Sequence, residues 1–294
     1  MGTSCSPCRL PVVLVFVLVF VLVLVFVLTA MPSRDWRARL ASALGPIGDV
    51  RALGGSAWLV EAAGRSVVAK VGHGALDEAE GLERIGAVEG GPLVPDVVYA
   101  DADLVVTTVV AQAATRTQEH EESLGRDLAR LHAAGCTHWG GGSSWIGACP
   151  IDASPQADGA AFYSARLGEL AARCGLEVPV ARLAARLAEL IPPGGPSLLH
   201  GDLWWGNVLF GADGRAWLID PSVHGGHPEE DLAMLALFGP VPGRVHAAYN
   251  EILPLAAAWQ ERVALFQLYP LLVHTVLFGG GYHSRAEEIA RRYG

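Results

Sequence analysis

Three oxygen-bearing side chains stand close together in the second half of the chain. Asp202 and Asn207 lie in His200-Gly-Asp-Leu-Trp-Trp-Gly-Asn207, and Asp220 lies in Ala216-Trp-Leu-Ile-Asp-Pro221. A carboxylate beside an attacking hydroxyl can take its proton. An amide oxygen and a second carboxylate suit Mg²⁺, which prefers hard oxygen ligands and keeps part of its water. The spacing H-x-D-L-x-x-x-N followed by a distant Asp is the pattern used for phosphoryl transfer from ATP. Asp202 is thus the candidate base, Asn207 and Asp220 are the candidate metal ligands, and ATP with Mg²⁺ is the implied cofactor pair.

The neighbours of this stretch read as support. His200 and Asp231 look structural, with Asp231 placed on the helix after the metal ligand to tie down the catalytic-loop backbone. Trp204 and Trp205 flank the base, where one indole can wall an acceptor pocket. His132, near the end of an earlier helix, reads as a cap for free carbonyls.

A phosphate-holding group is needed across from these residues. Of 21 basic residues only Lys70 is a lysine, and it ends the strand-like run Ser66-Val-Val-Ala-Lys70. Its compact ammonium can reach a phosphate. Gly54-Gly55-Ser56 can lie over nucleotide phosphates, since absent side chains let backbone N–H groups approach. A helix predicted over Asp77–Val88 offers Glu78, or alternatively Glu80, to pair with Lys70.

Around these residues the hydrophobic pattern predicts helices at Trp36–Leu44, Glu119–Ala134, Ala160–Cys174, Val180–Ile191, Glu229–Phe238 and Pro254–Phe278. It predicts strands at Leu53–Glu61, Arg65–Lys70, Val97–Ala100 and Leu104–Val110. The fold class is α+β: a bilobal protein-kinase-like fold with a small N-terminal antiparallel β lobe carrying one main helix, and a larger, mostly helical C-terminal lobe. The expected divisions are an apolar segment over 1–30, an ATP-binding lobe over 31–112 and a catalytic and acceptor-binding lobe over 113–294.

Composition bounds the partners. The net charge of −9 argues against nucleic acid, whose phosphates demand a basic surface. Five scattered cysteines imply no disulfide framework, and Cys5-Ser-Pro-Cys8 lacks a second pair for zinc. Leu10 to Ala30 is an uncharged apolar run long enough to span a bilayer. Two readings stand side by side: a membrane anchor with the catalytic part on the cytoplasmic face, or a start-site artefact before Met31. A membrane is a partner only on the first of these.

The combined pattern resembles the fructosamine kinase (ketosamine 3-kinase) family of the aminoglycoside phosphotransferase-like kinases. The resemblance rests on His200 to Asn207, Leu218-Ile-Asp-Pro221, Glu230-Asp-Leu-Ala-Met234, Leu237-Phe-Gly239 and Leu265 to His274, and extends over about Trp36 to Tyr293. It implies phosphorylation of the 3-hydroxyl of a ketoamine, small or protein-linked, and hence deglycation repair. It also implies adenine contacts from the backbone near Thr107, Thr108 and Val109, and acceptor contacts from Trp204 and His274. The chain departs from the family at Trp205, at His224-Gly225 and at Ser144-Trp145, all expected near the acceptor. The alternatives are an aminoglycoside- or choline-like phosphotransferase, and a catalytically inactive kinase-like binding protein.

Overall fold

The computed structural model describes residues 35–294, in two compact units, one ending at Val71 and one running from Gly72 to Gly294. The apolar run Leu10 to Ala30 and the Cys5/Cys8 pair lie outside the described residues. Among the described residues no helix is long and apolar enough to cross a membrane.

The first unit opens with α1 (Trp36–Leu44), which buries Trp36 and Leu40, four residues apart and so on one helical face. Three antiparallel strands follow: β1 (Ile47–Gly54), β2 (Ala57–Ala62) and β3 (Arg65–Val71). Trp36 stacks on Trp58 of β2 at 5.1 Å. The single strand expected over Leu53–Glu61 is in fact the end of β1, a turn and β2. The turn is forced at Gly54-Gly55, whose φ values of 130° and 55° lie where a Cβ is disfavoured.

The second unit starts with α2 (Ala75–Gly86), entered through Gly74 at φ 74°. The hairpin β4 (Val97–Ala100) and β5 (Leu104–Thr108) turns on Asp101, whose Oδ1 accepts from the Asp103 and Leu104 amides. The helix α3 (Gln118–Ala133) is capped by Thr117, which accepts from the His120 amide, while the His120 ring accepts from the Thr117 amide.

A short hairpin, β6 (Trp145–Ile146) and β7 (Cys149–Pro150), leads to α4 (Gly159–Cys174), α5 (Glu177–Ala184) and α6 (Leu187–Leu190). The helix expected over Val180–Ile191 is therefore two pieces, broken between Ala184 and Leu187. Four strands frame the motif: β8 (Ser197–Leu199), β9 (Val208–Phe210), β10 (Ala216–Leu218) and β11 (His224–Gly226). The chain closes with α7 (Glu229–Leu235), α8 (Gly243–Asn250), α9 (Trp259–Phe278) and α10 (Gly281–Tyr293).

Neither α8 nor α10 was expected. The helix α10 buries only Ala286, Ile289 and Ala290, too small an apolar stripe to read as a helix face from composition. The start of α9 moves from Pro254 to Trp259 because Ala258 sits at φ 57° and breaks the pattern. Two large apolar clusters fill much of this unit among the described residues. One gathers α4, α5, α9 and α10 around Tyr163, Leu170 and Phe266. The other gathers α3, α8 and β8 to β10 around Leu128, Leu203 and Tyr249.

Candidate active site

The β9–β10 register decides where the chemistry sits. Val208 pairs with Leu218, and just beyond that pair the Ile219 amide donates to the Asn207 carbonyl at 3.1 Å. Asn207 and Asp220 are thus brought to the same end of the hairpin. The Asn207 side-chain nitrogen donates to the Asp202 carbonyl at 2.8 Å and to Asp202 Oδ2 at 3.2 Å. With Nδ2 held on Asp202, Asn207 Oδ1 is directed away from those contacts. Asp220 adopts φ 55°, a left-handed conformation that costs an L-residue on the order of 1 kcal/mol or more.

His200 ties the Asp202 loop to the segment after β10 that carries Asp220. Its Nε2 lies 2.9 Å from the Ile219 carbonyl, its Nδ1 accepts from the Asp202 amide at 3.3 Å, and its carbonyl accepts from the Ser222 amide at 2.8 Å. Burial holds this imidazole below its usual pKa, with the nearby Asp231 opposing, so the ring serves as a neutral bridge. Between His200 and Asp202, Gly201 has φ 81°, and a Cβ there would come within 1.9 Å of the Ser222 carbonyl oxygen. Only glycine fits.

Asp231, in the first turn of α7, accepts the His200 amide at 2.8 Å and the Gly201 amide at 2.9 Å. Its other partner is His132, whose Nε2 stands 3.2 Å from Asp231 Oδ2 and whose Nδ1 stands 2.8 Å from the Tyr249 hydroxyl. Burial pushes the Asp231 carboxyl upward, but the His132 bond and charge and the Gly201 amide outweigh it and hold it below the usual carboxylate range. His132 is therefore not the helix cap expected of it. Its imidazole bridges α8 and α7, and nothing in the local sequence marks a contact between residues 99 positions apart.

The helix α2 lies beside the Asp220 segment. A Cβ on Gly81 would meet Val223 at 3.0 Å and Pro221 at 3.1 Å, so the absent side chain permits close approach. Asp77 accepts the Ser144 amide at 2.8 Å. Glu78 stands in the first turn, half-buried, whereas Glu80 is exposed. Thr107 and Thr108 end β5, with Thr107 buried and Thr108 bonded to Asp96 through its amide and its hydroxyl; Val109 follows as an exposed residue. In the first unit, Lys70 pairs with Ala57 across β3 and β2, and Gly54, Gly55 and Ser56 form the β1–β2 turn.

A cavity opens beside Asp202, lined among others by Gly201, His224, Glu230, Tyr269 and His274. Trp204 meets His274 through Phe238, which packs edge-on to both rings at 5.8 and 5.3 Å. Among the described residues no cluster of three His, Cys, Asp or Glu side chains forms a protein-only metal cage. One Asp and one Asn, completed by phosphate oxygens and water, fit Mg²⁺.

The same architecture recurs in known proteins. The chain matches the fructosamine kinase family over residues 76–293. The chain belongs to the fructosamine kinase family. A Thermus thermophilus protein named a probable ketoamine kinase is 33% identical over 208 residues, 70% of this chain and 77% of that one. A chloroplastic protein of Oryza sativa named protein-ribulosamine 3-kinase is 36% identical over 59% of this chain and 54% of its own length. A solved chain of Thermobifida fusca, named as a fructosamine-3-kinase, superposes with a TM-score of 0.78 at 36% identity, covering 90% of this chain and 99% of that one. The chain spans only 35% to 60% of the length of several other curated relatives it matches.

Within this fructosamine kinase family member, which has the protein-kinase-like fold of its structural neighbours, the three departures fall in different places. Trp205 lies under the Arg116 guanidinium at 5.0 Å and does not line the cavity beside Asp202. Trp145 stacks on His73 at 4.6 Å, while its neighbour Ile146 faces the cavity. His224 lines the cavity itself.

Proposed function

We propose that this chain is an ATP-dependent phosphotransferase that acts on the 3-hydroxyl of a ketoamine, a sugar joined to an amine by glycation. Asp202 takes the proton of the attacking hydroxyl, and Asn207 and Asp220 would hold Mg²⁺, which would supply positive charge to the ATP phosphates. Lys70 and Glu78 are assigned to the α and β phosphates, the Gly54-Gly55-Ser56 turn to the phosphate tail, and the Thr107 to Val109 backbone to adenine. Trp204 and His274 are assigned to the acceptor. Phosphorylation at O3 leaves an adduct that sheds its amine, which makes deglycation the role.

The observation that carries this reading is the Asn207 side chain. Its nitrogen is bonded to Asp202 while its backbone carbonyl takes the Ile219 amide, so base, amide oxygen and Asp220 share one hairpin end. Membership of the fructosamine kinase family supports the acceptor class.

The test uses the chain from Met31 to Gly294 with fructosamine and ribulosamine acceptors. ATP consumption is expected to depend on the ketoamine, and Asp202→Asn is expected to lower kcat by about 10²–10⁴-fold with nucleotide binding retained. Turnover of an aminoglycoside or amino alcohol with no activity across the ketoamines would overturn the substrate class.

A further inference from the structure

The cavity beside Asp202 has a polar wall that the proposed chemistry does not use. Behind it lies Arg166 of α4, only 2% exposed. Its guanidinium sits over the Tyr269 ring, 3.8 Å from the centroid, and donates to the Tyr269 hydroxyl through Nη2. Through Nη1 it donates to His224 Nε2 at 2.7 Å, with Glu230 Oε2 at 4.0 Å. His224 Nδ1 lies 2.9 Å from the Ser222 carbonyl and so carries its proton there. Both His224 nitrogens are thereby engaged, and the ring offers the cavity no polar valence of its own.

Tyr269 is different. Its oxygen accepts from Arg166, so its own proton points elsewhere, and among the described residues no acceptor takes it. Burial raises the phenol well above its ordinary pKa, with Arg166 opposing, and the proton stays on throughout the working range. Glu230, on the same cavity, accepts the His227 amide through Oε1 at 2.7 Å and keeps acceptor capacity on its carboxylate. Tyr269 and Glu230 both line the cavity, one with a donor to spare and one with an acceptor. That pair matches a hydroxyl group, which accepts and donates at once.

We propose that Tyr269, oriented by Arg166, donates a hydrogen bond to a hydroxyl of the acceptor other than the one phosphorylated, with Glu230 accepting from that hydroxyl. This rests on the sugar-acceptor reading above and deepens it. Asp202 addresses the reacting hydroxyl and Tyr269 a second one, so the site selects a polyhydroxylated acceptor over an amino alcohol that carries a single hydroxyl. A site that keeps a buried donor for a substrate hydroxyl rejects an analogue lacking it, because the donor is then left unpaired.

The experiment compares wild type and Tyr269→Phe on a ketoamine and on its analogues that each lack one hydroxyl other than the reacting one. For wild type, one analogue is expected to lose about 10- to 100-fold in kcat/KM. Tyr269→Phe is expected to lose a similar factor on the parent ketoamine, and to lose nothing further on that analogue, with KM for ATP close to wild type and a thermal midpoint lowered by the Arg166 N–H left unpaired. Glu230→Gln is expected to lose activity on the parent ketoamine and, like Tyr269→Phe, nothing further on the same analogue. A Tyr269→Phe loss that is equal on the parent and on every analogue would mean that the phenol only packs, and would overturn the proposal, as would unchanged activity. If wild type ignores all ketoamines and turns over another alcohol, the substrate reading fails instead, and the same comparison on that alcohol and its deoxy form decides the role of Tyr269.

Discussion

His132 Nε2 stands 3.2 Å from Asp231 Oδ2, deep in the second unit, and joins two residues that the chain keeps 99 positions apart. Tyr249 holds the other side of the imidazole, and Asp231 passes the restraint to the His200 and Gly201 amides. A run of hydrogen bonds from α8 thus ends on the backbone that carries Asp202. Removing His132 leaves a buried carboxylate short of its main partner, and His132→Ala is expected to lower the unfolding free energy by about 3–5 kcal/mol. Tyr249→Phe, which removes only the outer bond, is expected to cost about 1 kcal/mol. Urea denaturation of both variants measures the difference, and equal small losses would show that the imidazole merely fills space.

Gly201 is irreplaceable on steric grounds. Gly201→Ala places a Cβ at φ 81° against the Ser222 carbonyl oxygen. The strained backbone alone costs about 1–3 kcal/mol, and relief of the clash must displace Asp202. Loss of turnover with a lowered thermal midpoint is the expected result; an active, fully stable variant would contradict this geometry.

Asp220 holds a conformation that glycine adopts freely. Asp220→Gly is expected to keep or raise stability, by up to about 1 kcal/mol, while abolishing Mg²⁺-dependent turnover. Denaturation and activity measured on one preparation should move in opposite directions. A variant that keeps Mg²⁺-dependent turnover would overturn the role assigned to Asp220.

Stability should fall in two steps as pH is lowered. His227 and His274 are held below the ordinary imidazole pKa, in both cases chiefly by burial. Below about pH 6.5 the unfolded chain binds protons that the folded chain refuses, so stability declines by up to about 1.4 kcal/mol per pH unit for each such group until the folded imidazole also titrates. Asp231 is depressed as well, so its contribution is complete above about pH 4 and is lost as pH drops through its folded pKa. His227→Phe is expected to flatten the first step. The imidazole stacks flat on Phe266, and phenyl can take its place there.

Much of the architecture is legible along the chain because local rules govern it. Apolar spacing places α1, α3 and α4 to within about a residue, and the turn at Ala62 to Arg65 separates β2 from β3 as expected. The motif residues Asp202, Asn207 and Asp220 are legible for the same reason, since five residues and one short hairpin suffice to bring them together. The β1–β2 boundary was less so. A glycine pair is compatible with a strand interior or a turn, and pairing with β2 decides between them.

The sequence by itself determined which chemical groups are present near the motif and which local elements carry them. Tertiary structure alone decided the second ring of residues: His132 and Tyr249 behind Asp231, and Arg166 behind His224 and Tyr269 in the wall of the cavity beside Asp202. The physical reason is range. Periodicity and turn chemistry act over a few residues, whereas Arg166 and Tyr269 meet across 103 positions because α4 and α9 bury their apolar faces in one cluster. The same packing shows that Trp205, the departure nearest Asp202 in sequence, lies under Arg116, while His224, a departure further along the chain, lines the cavity beside Asp202.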